Sequence, residues 1–118
     1  MHSHDELSEK VIACAYTVAN TLGPGFLEKV YENALFYEVK SVGLSAHQQW
    51  PIKVHYKDIV VGDYIADLLI EDRLLVELKA VKVLEDIHLA QCLNYLKATG
   101  LKSCLLINFG SPRVEIRR

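Results

Sequence analysis

The sequence predicts an α/β domain, a central mixed sheet flanked by helices. Three observations predict it. Apolar residues recur every three or four positions over residues 5–41, the spacing of one-sided helices. From about residue 50 the repeat switches to every second position, the spacing of strands. A nearly all-apolar run at 103–109 then reads as a strand covered on both faces, reached from 74–79 through a helical segment. The 118 residues suit one domain spanning 1–118, and 51% hydrophobic against 24% charged residues argues against disorder.

The first helix is expected over 5–21, with Leu7, Val11, Cys14, Ala15, Val18 and Leu22 on one side. Asp5, Glu6 and Glu9 favour its positive dipole end. Gly23-Pro24-Gly25 breaks it. A second helix should run over 26–41, presenting Leu27, Val30, Tyr31, Ala34 and Leu35, and end at Gly43. Residues 48–57 alternate as a strand, and Pro51 requires that it start there or lie at an edge. A second strand follows over 59–70, bent or bulged near Gly62. Glu71-Asp72-Arg73 turns into a third strand over 74–79. The crossover helix covers 84–98 and stops at Gly100. After 103–109, Gly110-Ser111-Pro112 turns the chain into a short edge strand at 113–117. No glycine-rich phosphate loop follows a strand, so a doubly wound nucleotide fold is not expected.

The formal net charge of −2 gives no general attraction to nucleic acid or anionic membrane, though a local basic patch is compatible with it. Cys14, Cys92 and Cys104 are too widely spaced for a zinc or redox pair, and each lies in an apolar run. Buried free thiols suit a cytoplasmic setting. No apolar run reaches the ~18 residues of a membrane span, and none at the N-terminus resembles a signal segment.

Chemistry concentrates in two strands. Glu77 and Lys79 are two apart within LLVELK, so they share a face, opposite Leu74, Val76 and Leu78. Asp67 interrupts the apolar YIADLLI. If residues 71–73 form a three-residue loop, Ile70 faces Leu74 and Asp67 stands opposite Glu77. Two such carboxylates repel unless a cation or proton lies between them, and hard oxygen donors suit magnesium or manganese. Lys79 could then act on a phosphate oxygen or a water. The plainer alternative is a salt-bridged pair on a half-wet strand.

These residues resemble the core of the PD-(D/E)XK nuclease superfamily, in which an Asp on one strand precedes (Asp/Glu)-x-Lys on the next. Gly25-Phe26-Leu27-Glu28-Lys29-Val30-Tyr31 further resembles the GxxExxY signature of small proteins within that superfamily. Ala66-Asp67-Leu68-Leu69, Val76-Glu77-Leu78-Lys79-Ala80, Gln91-Cys92-Leu93-Asn94-Tyr95-Leu96 and Leu106-Ile107-Asn108-Phe109-Gly110 are family-like blocks. The resemblance implies a restriction-endonuclease-like core. It implies Glu28 as a helix carboxylate completing a metal set with Asp67 and Glu77. Gln91 and Tyr95 match the QxxxY pattern of RecB-like nucleases, at i and i+4 on one helix face.

The function expected from this reading is a Mg- or Mn-dependent nuclease acting on DNA or RNA, with Glu28, Asp67, Glu77, Lys79, Gln91 and Tyr95 as its working residues. The alternatives are a catalytically silent nucleic-acid-binding or protein-interaction module and a small-molecule phosphohydrolase. A homodimer is expected because so small a body has exposed edge strands to cover. Trp50 and Tyr56 are candidates for base stacking or packing. Lys53, His55 and Lys57 share a strand face that is either a phosphate contact or simply solvated, and Arg113, Arg117 and Arg118 form a basic tail. His88 reads as a surface or packing residue.

Overall fold

A computed structural model describes residues 4–111 and 113–117. Pro112 of the expected turn and Arg118 of the basic tail lie outside the described residues. Helix α1 spans His4–Leu22 and buries Leu7, Val11, Cys14, Ala15 and Val18, the stripe its spacing predicts. Helix α2 spans Glu28–Ser41. Its packed stripe is Tyr31, Leu35 and Val39, and Gly43 (φ 90°) follows its C-terminus. Two residues depart from the expected face: Leu27 is 81% and Val30 38% exposed. The helix begins two positions later than its apolar spacing suggests, which leaves Leu27 as an extended residue ahead of the first turn.

Strands β1 (Ala46–Tyr56), β2 (Ile59–Ile70) and β3 (Leu74–Lys79) form an antiparallel meander. Strand β1 begins before Pro51 and lies at the sheet edge, where the missing proline N–H needs no partner. Between Val54 and His55 its partner jumps from Gly62 to Val60, so the bulge falls on Val61 beside the expected glycine. The β2–β3 turn has the three-residue length the register requires. Arg73 N–H donates to the Ile70 carbonyl, Glu71 and Asp72 take left-handed dihedrals, and Ile70 faces Leu74.

Helix α3 (Asp86–Thr99), capped by left-handed Gly100, carries the chain to β4 (Ser103–Asn108), parallel to β3. Strand β5 (Glu115–Arg117) pairs antiparallel on β4, giving the order β1-β2-β3-β4-β5. Helices α1 and α2 cover one face through Leu68, Ile70, Val76, Leu78, Leu105 and Ile107. Helix α3 covers the other through Cys92 and Tyr95, against Ala66, Leu69, Leu75 and Leu106. The α/β expectation therefore holds, as a five-stranded mixed sheet flanked by helices.

Strands β1 and β2 are about twice as long as β3, and of β2 only Leu68, Leu69 and Ile70 pair with β3. The far half of the β1–β2 hairpin therefore overhangs the sheet, leaving Tyr56, Ile59, Val61, Tyr64 and Ile65 exposed. Among the described residues, no helix is long and apolar enough to cross a membrane. All three cysteines are buried and free.

Candidate functional site

The regular β2–β3 ladder stops after Leu68 and Val76. Beyond it, side chains replace backbone acceptors. The Asp67 N–H donates to Glu77 Oε1 at 3.1 Å, and the Leu78 N–H donates to Asp67 Oδ2 at 2.8 Å. Each carboxylate thus holds the backbone at or beside the other, and the strands part at this point. Asp67 Oδ1 and Glu77 Oε2 accept no hydrogen bond from the described residues. Glu77 and Lys79 share the Leu75 side of β3, towards α3, while Leu74, Val76 and Leu78 enter the opposite core.

Burial sets the electrostatics. Glu77 is 4% exposed, and loss of hydration followed by the Asp67 charge pushes its carboxyl up to about 8. The Asp67 N–H and the Lys79 ammonium act against that rise. Asp67 is also raised, first by burial and then by the Glu32 charge, despite the Leu78 N–H and Lys79. Glu28, in the first turn of α2, is raised by burial and by the Asp67 charge, with Lys79 opposing. Three carboxylates thus feel one lysine, and Lys79 makes no ion pair with any of them within 4 Å.

The α1–α2 connection positions Glu28. The Tyr31 hydroxyl donates to the Gly23 carbonyl at 2.6 Å and accepts from Phe26 N–H at 3.1 Å. Its ring stacks on Phe109 at 4.7 Å. The tyrosine of the Gly25-x-x-Glu28-x-x-Tyr31 block therefore anchors the loop, with Gly23 and Gly25 at positive φ that few other residues adopt. On α3, Gln91 Nε2 donates to the Tyr95 hydroxyl at 2.9 Å. Burial and the Glu77 charge push Tyr95 up to about 12, so the phenol keeps its proton at neutral pH. His88 Nδ1 accepts from Glu85 N–H and so caps the start of α3, where a surface or packing residue was expected.

The softer candidates divide. Trp50 packs on the α3-side cluster and beside the His47 ring. Tyr56 is exposed with the Lys57 ammonium over its ring, and Lys53 is paired with Asp63 at 2.8 Å.

Sequence reasoning missed Glu32. It is 3% exposed and accepts from Gln48 Nε2 at 2.7 Å, Gln49 Nε2 at 2.8 Å and Lys29 Nζ at 3.0 Å. Neighbours in a regular strand point to opposite faces. Gln48 and Gln49 reach one carboxylate because Gln49 takes φ 54°, strained for a residue other than glycine. The pairing of Gln49 with Asp67 drops out of the β1–β2 ladder at the same place. The available signal was Glu32 lying one turn after Glu28 on the same helix face. Asn108, fully buried, was also missed as a positioning residue. It bonds both backbone groups of Val81 and so fixes the chain just after Lys79. A Cβ on Gly110 would strike that same segment.

The family model described as the PD-(D/E)XK nuclease superfamily matches residues 5–118. The chain belongs to this superfamily. Its mixed sheet with flanking helices is accordingly a restriction-endonuclease-like core. Neither curated proteins nor solved structures give a significant match. Members of the superfamily generally use divalent metals. Among the described residues, no three His, Cys, Asp or Glu side chains converge as a metal-holding set. Asp67 and Glu77 do converge, and each retains an uncommitted oxygen. Two carboxylates suffice for magnesium, which keeps several waters and takes its remaining ligands from substrate phosphate.

Proposed function

We propose that this superfamily member is a divalent-metal-dependent nuclease that hydrolyses phosphodiester bonds in DNA, with RNA as the alternative polymer. The observation that carries the reading is the reciprocal carboxylate lock between Asp67 and Glu77, with Lys79 beside it on the same strand face. Asp67 Oδ1 and Glu77 Oε2 are the donors for magnesium or manganese. A bound ion supplies Lewis acidity and a water of lowered pKa. Lys79 holds a phosphate oxygen or the attacking water where negative charge develops. Glu28 adds a carboxylate from the α2 side. The Tyr95 phenol accepts from Gln91 and keeps its own proton to donate towards the phosphate.

The single domain belongs, in this reading, to the GxxExxY branch, supported by the anchoring of Tyr31 around Gly25 and Glu28. Its functional unit is a homodimer, supported by the exposed Ile59, Val60 and Val61 of the hairpin. A monomer in light scattering at high micromolar concentration would remove that last element alone.

Lys79→Ala and Glu77→Ala test the chemistry on single- and double-stranded DNA and on RNA, with magnesium and with manganese. Lys79→Ala is expected to lose cleavage and keep most metal binding; Glu77→Ala is expected to lose both. Equal cleavage by Lys79→Ala and wild type would refute the role of Lys79. The second reading is a catalytically silent nucleic-acid-binding or protein-interaction module. It is favoured by one observation, that Glu28 does not join Asp67 and Glu77 in a three-ligand set among the described residues. Absence of cleavage by pure wild type on every substrate would establish it over the first.

A further inference from the structure

A groove of about 840 Å³ runs between α3 and the overhanging β1–β2 hairpin. Such a volume falls in the range of ligand sites, ~300–1,000 Å³. Tyr64 and His55 line it from the hairpin; His88, Gln91, Asn94 and Lys97 line it from α3. Tyr95 also lines it, its ring 5.8 Å from that of Tyr64 and its hydroxyl bonded to Gln91. The groove therefore includes Gln91 and Tyr95, the pair on α3 that the family resemblance singles out.

Three features select its occupant. Tyr64 is 50% exposed, so part of its ring stays open to solvent beside Tyr95. Asn94 is exposed and Gln91 half-buried, and both offer amide donors and acceptors. Among the described residues no Asp or Glu lines the groove, although the chain holds 15 of them, and Lys97 contributes an ammonium to its wall. This lining suits a flat heteroaromatic ring with hydrogen-bonding edges on a polyanionic backbone. A duplex presents base edges in its grooves and keeps its ring faces stacked. Stacking on Tyr64 needs a base that is already unpaired or has been turned out.

We infer that the α3–hairpin groove holds an unpaired nucleobase of a single-stranded nucleic acid, stacked on Tyr64 and read by Asn94, with the adjoining phosphate directed towards Lys79. The inference rests on the nuclease reading and deepens it by naming the substrate as a single strand. Lys97 contacts the backbone at the outer end. The small net charge is then no obstacle, because stacking and a few amide contacts supply affinity that a duplex binder draws from many phosphates.

The test is fluorescence anisotropy of a labelled 12-nucleotide single-stranded DNA and of the matching duplex. It is done on the full chain in EDTA, so that cleavage does not intervene. Wild type is expected to bind the single strand at least about tenfold more tightly than the duplex. Tyr64→Ala and Asn94→Ala should each weaken single-strand binding, the former by roughly 5- to 150-fold, as loss of one base–aromatic stack does. Tyr64→Phe should restore it, since the ring carries the stacking. Asn94→Ala lies on an exposed helix position where alanine is a good helix former, so it remains informative if Tyr64→Ala fails to fold. Tyr37→Ala, a 74% exposed tyrosine on α2, controls for loss of any surface ring. Equal or tighter duplex binding, no binding of either probe, or full affinity in Asn94→Ala and Tyr64→Ala would each overturn the inference. Cleavage in magnesium separates it from the reading beneath it. Cutting with duplex preference sinks the groove and keeps the nuclease; tight single-strand binding with no cutting keeps the groove and sinks the nuclease.

Discussion

The two ends of the β2–β3 pair are built on opposite principles. At the turn end, Leu68, Leu69 and Ile70 face Val76, Leu75 and Leu74 in regular register, and all six are buried apolar residues. At the other end the ladder gives way to two carboxylates that accept from backbone N–H groups of the facing strand. The first end gains from burial on both faces. The second carries buried carboxylates held near one another and raised in pKa, an arrangement that opposes folding at neutral pH. The difference teaches that apolar stabilisation and unfavourable carboxylate burial are divided along one hairpin within a few residues.

Four measurements break or sharpen that division. The largest effect should come from Lys79→Ala. If the open end exists for chemistry, cleavage should fall ~10²–10³-fold, as on loss of one oriented transition-state contact, with thermal stability little changed. Next is Leu68→Ala at the closed end, a fully buried position. It should cost ~2–5 kcal/mol in chemical denaturation while the folded fraction keeps its cleavage rate. The reverse pattern in these two variants would erase the division.

Asp67 distinguishes ligand from scaffold. Asparagine keeps an oxygen for the Leu78 N–H and removes a charge beside Glu77. Metal-free Asp67→Asn should therefore melt at or slightly above wild type, and should lose the stabilisation that magnesium or manganese gives. Asp67→Ala leaves that N–H without its partner and should cost ~1–3 kcal/mol. An Asp67→Asn protein that melts far below wild type without metal would make Asp67 structural.

A further effect is in the pH dependence of metal-free stability. The Glu77 carboxyl is raised in the folded chain, from an ordinary value of 4.5 to about 8. A raised acid favours its protonated form on folding. Its contribution is fully present below about 4.5 and is lost as pH rises through about 8. Melting temperature should thus decline across that window, and Glu77→Gln should flatten the decline. Divalent metal should oppose it, since binding requires the ionised carboxylate and releases a proton. A wild-type melting curve that instead rises over the window would show that other groups dominate.

Much of this was legible in the sequence because it depends on short-range rules. The three-residue 71–73 loop fixed the Ile70–Leu74 register, and that register brought Asp67 to Glu77. The alternation of LLVELK separated Glu77 and Lys79 from the apolar side chains that enter the α1–α2 core. The start of α2 was misread because Leu27 continues an apolar spacing without being helical.

What the sequence by itself determined, then, was the order of elements, the meander and parallel crossover, and the carboxylates and lysine at the end of β2 and β3. Only the tertiary structure decided how those groups are held. Convergence of Gln48 and Gln49 on Glu32 depends on one left-handed dihedral, which no side-chain pattern encodes. The tie from Asn108 to Val81 joins residues 27 positions apart. The groove beside Tyr64 arises from the mismatch in length between the β1–β2 hairpin and β3. Periodicity reports which face of an element is apolar; it carries no information on where a ladder ends or what meets it there, because both are set by contacts between distant segments.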